Sequence, residues 1–198
     1  MILPIASGAS AEVYTVNPEG TGDFATIQAA VDAVVDGDII ELTVGVFPGE
    51  GNRDVDYLGK AITIRSQGGN PDDCVIDCEG SANHPHRGVL FESNEGPTAV
   101  LEGVTIRGAF PPDGRGGAVR CWESNPTLSN CVFIRNSAHD GAGMLCVSSS
   151  PVLVCCTFSL NTATMAGGGV FGAEESAPEF LGCTFSGNTS YIGGGIYI

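Results

Sequence analysis

Basic residues are scarce in this chain of 198 residues: Lys and Arg number 8 against 23 Asp and Glu, which gives a formal net charge of −15. No Lys or Arg follows Arg135. Nucleic acid and anionic membrane surfaces are therefore poor partners, because both attract proteins through basic side chains. Acidic polysaccharides would also be repelled, unless Ca²⁺ bridged the carboxylates.

Two further absences narrow the possible functions. No apolar stretch is long enough to span a membrane as a helix, which takes about 20 residues. The 8 Cys include no Cys-x-x-Cys pair, and the His residues are not interleaved with them, so no metal site of the zinc type is predicted.

Repetition is what the chain does contain. A motif with a Gly-rich start and a Pro-x-Leu/Phe-x-x-Cys-x-Phe-x-x-Asn end recurs, most clearly within residues 97–198. Its first large apolar residue is Leu128, then Leu153, then Phe180, at spacings of 25 and 27 residues. Short alternating segments at this period, with Gly-rich corners, predict a β-solenoid in which each coil buries its inner face on its neighbours.

Equivalent residues of successive coils should stack in columns inside such a solenoid, about 4.8 Å apart. Cys and Phe columns are predicted to fill the interior. Asn136, Asn161 and Asn188 fall where the chain must turn, so their amides are predicted to bond to one another and to the corner backbone.

The repeat resembles a known one. Gly-Gly-small-aliphatic followed by Phe-x-x-Asn, as in Gly168-Gly169-Val170 and residues 185–188, resembles the repeat of the chlamydial polymorphic outer membrane proteins and related bacterial β-helix surface proteins. The resemblance covers residues 116–198. It implies an all-β, right-handed parallel β-helix, here of about six coils, with adhesive or interaction roles at the cell surface. Because the proteins of that family have longer chains, the resemblance also implies that this chain is a fragment, truncated at the C-terminus, or a small relative.

The N-terminal part resembles the opening of pectinesterases and other pectin-lyase-like β-helices. The resemblance lies in Gly-Asp-Phe-Ala-Thr-Ile-Gln from residue 22 and Asp-Gly-Asp-Ile-Ile-Glu-Leu from residue 36. Thr26 can cap a helix over residues 26–35, whose stripe of Ile27, Val31 and Val34 is predicted to plug the open end of the solenoid. The catalytic motifs of pectinesterases have no counterpart, so this resemblance implies the fold and not the activity.

Residues 1–11 have the composition of a signal-peptide remnant, with an Ala-x-Ala site at Ala9 to Ala11. They predict export, to the bacterial surface or beyond it. The basic segment that normally opens a signal peptide is missing, so an ordinary terminus is the alternative. Residues 12–198 are predicted to form one domain.

In an exported protein, several Cys residues usually form a framework of disulfide bonds. We predict free thiols instead, because Cys131, Cys156 and Cys183 recur at one coil position and their parallel Cβ vectors give poor disulfide geometry. Cys74 and Cys78 are the pair for which bonding stays open.

Candidate catalytic residues are few. A lyase would need carboxylates for Ca²⁺ and an Arg base, and the set that fits is Asp72, Asp73, Asp77 and Arg107, with Arg65 as an alternative base. The favoured interpretation of these Asp residues is an ordinary turn, since they follow Asn-Pro. We therefore predict no catalytic residues, and no cofactor except Ca²⁺ if the lyase alternative holds.

Two loops that break the period are the main candidate binding site. Residues 79–88 (the first loop) and 109–116 (the second loop) are predicted to lie at neighbouring corners of successive coils. With the adjacent strand they supply the candidate ligand-binding residues Trp122, Arg120, Glu123, His84, His86, Arg87, Asp113 and Arg115. An aromatic ring beside such groups suits a sugar or a protein loop. The alternative is two solvated insertions with the Trp packed beneath them.

A second candidate surface is the outward column Leu145, Phe171 and Tyr197, predicted from the strand alternation. Three stacked apolar residues indicate a contact surface. A partner could cover this stripe, or downstream sequence or a neighbouring loop could cover it. A second copy could also associate through the stripe or through an open C-terminal end.

These features predict a non-catalytic secreted or cell-surface module for adhesion or for binding carbohydrate or protein. A polysaccharide lyase or glycoside hydrolase is the alternative, and a structural spacer of a longer surface protein is the third possibility. A carboxylate pair with an Arg or His in one outer groove would favour the enzyme, whereas an aromatic stripe on a smooth wall would favour binding. The ligand cannot be named from the sequence.

Overall fold

The computed structural model describes residues 10–198, whose strands wind into a parallel β-solenoid. The predicted remnant at residues 1–11 therefore lies almost entirely outside the described residues. The longest sheet has seven strands, which makes about seven turns. The sequence predicted about six because it did not recognise the first rung, where Val13–Val16 pairs in parallel with Ile39–Leu42.

Within residues 10–198, the regular structure consists of twenty-one short strands and one α-helix. In chain order they are β1 (Val13–Val16), α1 (Ile27–Ala33), β2 (Ile39–Leu42), β3 (Gly45–Pro48), β4 (Val55–Asp56), β5 (Thr63–Ser66), β6 (Cys74–Asp77), β7 (Val89–Phe91), β8 (Val100–Glu102), β9 (Thr105–Arg107), β10 (Val119–Trp122), β11 (Thr127–Ser129), β12 (Val132–Ile134), β13 (Ser137–Asp140), β14 (Met144–Val147), β15 (Val152–Val154), β16 (Thr157–Ser159), β17 (Thr162–Ala166), β18 (Val170–Ala173), β19 (Glu179–Leu181), β20 (Thr184–Ser186) and β21 (Ile196–Tyr197). A single 3₁₀ turn, Pro71–Asp73, precedes β6.

Four sheets form the walls of the solenoid. The first is β1-β2-β5-β8-β11-β15-β19, the second is β4-β7-β10-β14-β18-β21, the third is β3-β6-β9-β12-β16-β20, and the fourth is β13-β17. Each strand pairs in parallel with its equivalent on the next coil, so every coil presents one strand to each wall that it reaches.

Helix α1 closes the N-terminal end, as the sequence predicted. Ile27, Ala30 and Val31 are fully buried on the first coils. The Thr26 side chain accepts a hydrogen bond from the Ala29 N–H at 3.2 Å, which is the predicted N-cap. The helix ends at Ala33, two residues earlier than predicted, because the backbone is already extended at Val34.

The predicted Phe and Asn columns are confirmed. The rings of Phe133 and Phe158 have centroids 4.8 Å apart, and those of Phe158 and Phe185 are 4.9 Å apart. The Asn161 side-chain oxygen accepts both the backbone N–H and the Nδ2–H of Asn136, each at 3.0 Å. Asn161 in turn donates from Nδ2 to the Phe133 carbonyl at 2.8 Å. The ladder thus satisfies corner groups that would otherwise be buried without partners.

A second ladder, of Ser residues, was missed by the sequence analysis. The Ser124 N–H donates to Ser149 Oγ at 3.1 Å, and the Ser149 N–H donates to Ser176 Oγ at 3.2 Å. Ser124 Oγ donates to the carboxylate of Glu95, which is 1% exposed and also accepts from the N–H groups of Gly59 and Ser93. The recurring Ser-x-Pro, with Glu-x-Pro at its head, was the available indication in the sequence.

All eight Cys are described, and all are unpaired. Cys121 and Cys146 lie in register on β10 and β14 and are fully buried. Burial raises the pKa of the Cys74 thiol to about 12 and places the pKa of Cys121 well above its ordinary value. Buried thiols of this kind are protonated and unreactive at neutral pH.

Thiol labelling of the native protein is accordingly expected to modify Cys155 first, because it is the one exposed Cys, and half-buried Cys183 more slowly. The six buried thiols should react only when the chain is unfolded, without any reductant. Peptide mapping by mass spectrometry after each treatment measures this. A disulfide between any two of Cys131, Cys156 and Cys183 would contradict the ladder assignment.

Candidate functional site

The two loops that break the period lie side by side, as predicted. The backbones of His86 and Phe110 exchange two hydrogen bonds, at 2.8 and 2.7 Å. The Gly80 N–H donates to the Gly108 carbonyl at 2.7 Å. These bonds join the loops of successive coils into one surface.

The buried side chain of Arg87 holds the second loop in place through hydrogen bonds. This side chain is only 7% exposed, and it donates to the carbonyls of Arg115 and Gly116 and to the Asp113 carboxylate at 2.6 Å. Burial lowers the pKa of Arg87 below its ordinary value. Arg87 was predicted to bind a ligand, but its depth and its partners make it a support for the loop.

Asp113 lies between two guanidinium groups. Arg87 is on one side, and Arg120 Nη1 donates to Asp113 at 2.6 Å on the other. Burial raises the pKa of Asp113, but the Arg115 N–H and the two guanidinium groups outweigh burial, so the pKa lies below its ordinary value. Arg120 Nε also lies 2.9 Å from Glu92. Most of the charge in this cluster is therefore neutralised internally.

Trp122 is half-buried, with the Arg120 guanidinium 5.2 Å from its ring centroid. Such a contact fixes both side chains on the outer face of the second sheet. His84, Arg115 and Glu123 are exposed. Direct contacts join four of the predicted residues, Arg87, Asp113, Arg120 and Trp122, whereas the His86 imidazole pairs with Asp54.

The prediction that Leu145 is part of an outward stripe was wrong in one respect. Leu145 does point to the outer side of β14, but it is 1% exposed. It lies in register between Arg120 and Phe171, and the second loop ends against it: a Cβ on Gly116 would lie 2.9 Å from Leu145 Cβ. The stripe that reaches solvent is therefore half-buried Phe171 and exposed Tyr197, whose rings stack with centroids 5.6 Å apart and 4° between their planes.

The candidate lyase set does not assemble. Asp72 and Asp73 are exposed in the 3₁₀ turn before β6, whereas Asp77 lies at the other end of that strand, paired with Arg107 at 2.8 Å. Arg65, the alternative base, is paired with Glu41 on the first sheet. Within residues 10–198, no three His, Cys, Asp or Glu side chains are grouped closely enough to hold a metal ion.

A polar cavity of about 430 Å³ lies between α1 and the first loop. Its lining includes Glu50, Arg53, Asp54 and His86. His86 Nδ1 lies 2.7 Å from the Asp54 carboxylate, and Arg53 Nε is buried without a hydrogen-bond partner. Except for His86, the sequence analysis did not identify these residues, because they come from a loop without any recognisable motif.

A second cavity, of about 350 Å³, lies on the fourth sheet beside the second loop. Its lining is Phe110, Pro111, Gly114, Ser137, Ala138, His139, Thr162 and Thr164. Phe110, Pro111 and Gly114 belong to the second loop, but none of the eight residues was among the candidate ligand-binding residues predicted from the sequence. We call this cavity the corner groove.

A protein-family model described as a right-handed beta helix region matches residues 52–198. No curated protein matches the chain. Among residues 10–198 there is no helix with the length and apolar character needed to cross a membrane.

Proposed function

The chain belongs to the right-handed β-helix family, and from this we propose that it is a non-catalytic binding module, secreted or held at the bacterial surface. The Ala-x-Ala site at residues 9–11 supports export. Adhesion to a glycan or to a surface protein is the role that such a module would perform.

The aromatic outer face of the second sheet is the observation that carries the proposal. Trp122, Phe171 and Tyr197 stand on this face, with Leu145 buried among them. They extend over β10, β14, β18 and β21, a distance of about 14 Å at the usual spacing of parallel strands. Aromatic rings next to paired charges offer stacking and hydrogen bonding together, which suits a sugar ring or a protein loop.

Trp122→Ala is expected to weaken binding at least about tenfold, because the open part of the half-buried Trp122 ring supplies contact area that Ala cannot replace. Glycan and surface-protein arrays would identify the ligand, and titration of the wild type and variant would measure the affinity. Phe171→Ala should act in the same direction. Val154→Ala, half-exposed on the first sheet, is the matched control and should change nothing.

The melting temperature should be preserved in each variant, so that loss of binding is not loss of fold. Unchanged affinity in both Trp122→Ala and Phe171→Ala would contradict the proposal for this face. A folded protein that binds nothing on either array would instead act as a spacer.

An enzyme is the second candidate, supported by the polar cavity. Asp54 would hold the His86 ring so that its other nitrogen faces the cavity as a base, and Arg53 would stabilise developing negative charge. The discriminating assay is incubation with neutral and acidic polysaccharides, with and without Ca²⁺. We expect neither unsaturated products nor new reducing ends. Turnover that His86→Gln abolishes would replace the binding module by the enzyme.

A further inference from the structure

The corner groove has a floor and a wall built from different parts of the chain. Its floor is the outer side of the fourth sheet, where Ser137 and His139 of β13 lie beside Thr162 and Thr164 of β17. Its wall is the start of the second loop, where the ring of Phe110 is 37% exposed. The groove thus lies on a different sheet from the aromatic face that carries Trp122.

The wall is held against the floor by the backbone. The Gly114 carbonyl accepts hydrogen bonds from the N–H groups of His139, at 2.6 Å, and Asp140, at 3.1 Å. Gly114 has a positive φ of 75°, and a Cβ on it would lie 3.1 Å from His139 Cβ, so the close approach depends on glycine. The groove is therefore a fixed feature of the loop and not an accident of side-chain placement.

The floor is shaped by an irregularity in the pairing. The register of β13 and β17 shifts between Ala138 and Asp140, and β17 has one more residue there than β13. Thr164 and Met165 are both exposed as a result. A bulge of this kind turns side chains away from their regular positions, and such bulges are common next to binding sites.

The groove is uncharged, although the chain has a net charge of −15. Among the described residues that line it there is no Asp, Glu, Lys or Arg. Its polar groups are the hydroxyls of Ser137, Thr162 and Thr164 and the imidazole of His139.

Asp140 sets the hydrogen-bonding character of His139. His139 Nδ1 lies 2.9 Å from the Asp140 carboxylate, whose side chain is 10% exposed. Because a carboxylate only accepts, the neutral imidazole carries its proton on Nδ1 and offers Nε2 as an acceptor. Half of the His139 side chain is exposed, at 54%, so Nε2 is open to a ligand's hydroxyl group.

We propose that the corner groove binds a neutral saccharide of one or two rings. Phe110 would stack against the C–H face of a sugar ring, His139 Nε2 would accept a hydrogen bond from a sugar hydroxyl, and the Ser and Thr hydroxyls would complete the polar contacts. The volume of about 350 Å³ is at the small end of ligand sites, which fits a short sugar.

Other ligand classes fit less well. A uronic acid would place its carboxylate near Asp140 in an acidic protein, and Arg115, which lies outside the groove lining, is already paired with Asp140 at 3.9 Å. A purely apolar ligand would bury the hydroxyls and the imidazole without hydrogen bonds, which is costly. The groove does not depend on the proposed function, because it shares no lining residue with the Trp122 face.

Tyr191 extends the groove toward the last coil. Tyr191 is 82% exposed, and the pairs Thr162–Thr189 and Ala166–Ile192 place it opposite Thr164 and Met165, the two exposed residues of the bulge. A second sugar ring leaving the groove along the solenoid axis would meet this ring. Two-ring ligands should consequently bind more tightly than single rings.

Ligand-observed NMR and calorimetry of the full chain test the proposal. The probes are glucose, galactose, mannose and N-acetylglucosamine, their disaccharides, and glucuronic and galacturonic acid. At least one neutral sugar should bind, and roughly tenfold more tightly than its uronic acid. Phe110→Ala and His139→Ala should each weaken binding roughly tenfold, and His139→Gln, which restores an acceptor, should recover part of it.

Thr164→Phe removes one hydroxyl of the groove, but its main effect is to fill the groove with a bulky ring from an exposed position. It should abolish binding while the melting temperature is unchanged, and Val154→Ala, half-exposed on the first sheet, should bind these sugars as the wild type does. The proposal is overturned if no neutral sugar binds, if uronic acids bind as well as neutral sugars, or if Thr164→Phe still binds. Loss of sugar binding in Trp122→Ala alone would overturn the groove and support the aromatic face.

Discussion

Val31→Asp is expected to destabilise the folded protein by at least about 3 kcal/mol, enough to unfold much of a marginally stable domain. Val31 is fully buried in α1, which packs on β1, β2 and β4. An Asp at this position would place a carboxylate in the apolar interior without a partner. Urea or thermal unfolding measures the change.

Lys60, the only lysine, could not rescue this variant. Its ammonium group already donates to the carbonyl oxygens of Val31 and Val34 at the end of α1. Val35→Asp is the matched control, because Val35 is 63% exposed two residues beyond the helix, and it should cost less than about 0.5 kcal/mol. Equal stability of the two variants would mean that α1 does not plug the solenoid.

Asn161→Ala has the second large expected effect, a loss of roughly 3 kcal/mol or more. The side chain serves three groups on the preceding coil: the N–H and Nδ2–H of Asn136 and the carbonyl of Phe133. Asn161 and Asn136 are both fully buried, so water cannot replace the lost partners without opening the corner. Unfolding in urea, compared at the same temperature, measures the difference.

Two other Asn→Ala variants provide comparisons for the effect of Asn161→Ala. Asn188→Ala removes the equivalent contacts to Asn161 and Phe158, but Asn188 is only partly buried, so the cost should be smaller. Asn83→Ala, at an exposed position in the first loop, should be close to neutral. A similar small effect for all three variants would show that the ladder contributes little.

The fold could be predicted because the spacing of the repeated motif defines the coils of the solenoid. The spacing of Leu128, Leu153 and Phe180 marks one coil each, and the structure pairs these three residues in register. Nothing comparable marks the first rung, because the segment that forms β1 does not contain the repeated motif. That is why the number of turns was underestimated while the architecture was not.

The candidate sites were harder to predict, for a different reason. The sequence shows that Arg87, Asp113 and Arg120 lie in or beside period-breaking loops, but not that they neutralise one another. In the same way, strand alternation gives the direction of Leu145 and not what covers it. The corner groove depends on a register shift between β13 and β17, which no local pattern encodes.

The Asn and Ser ladders also govern how such a chain can change in length. Successive ladder residues are 25 and then 27 positions apart in both ladders, and each must keep its place on the coil for the hydrogen bonds to form. A single inserted residue within a strand would shift every later member. Duplication of a whole coil would leave all of them in register, so gene duplication can lengthen this molecule in steps of about 4.8 Å while its cross-section stays constant.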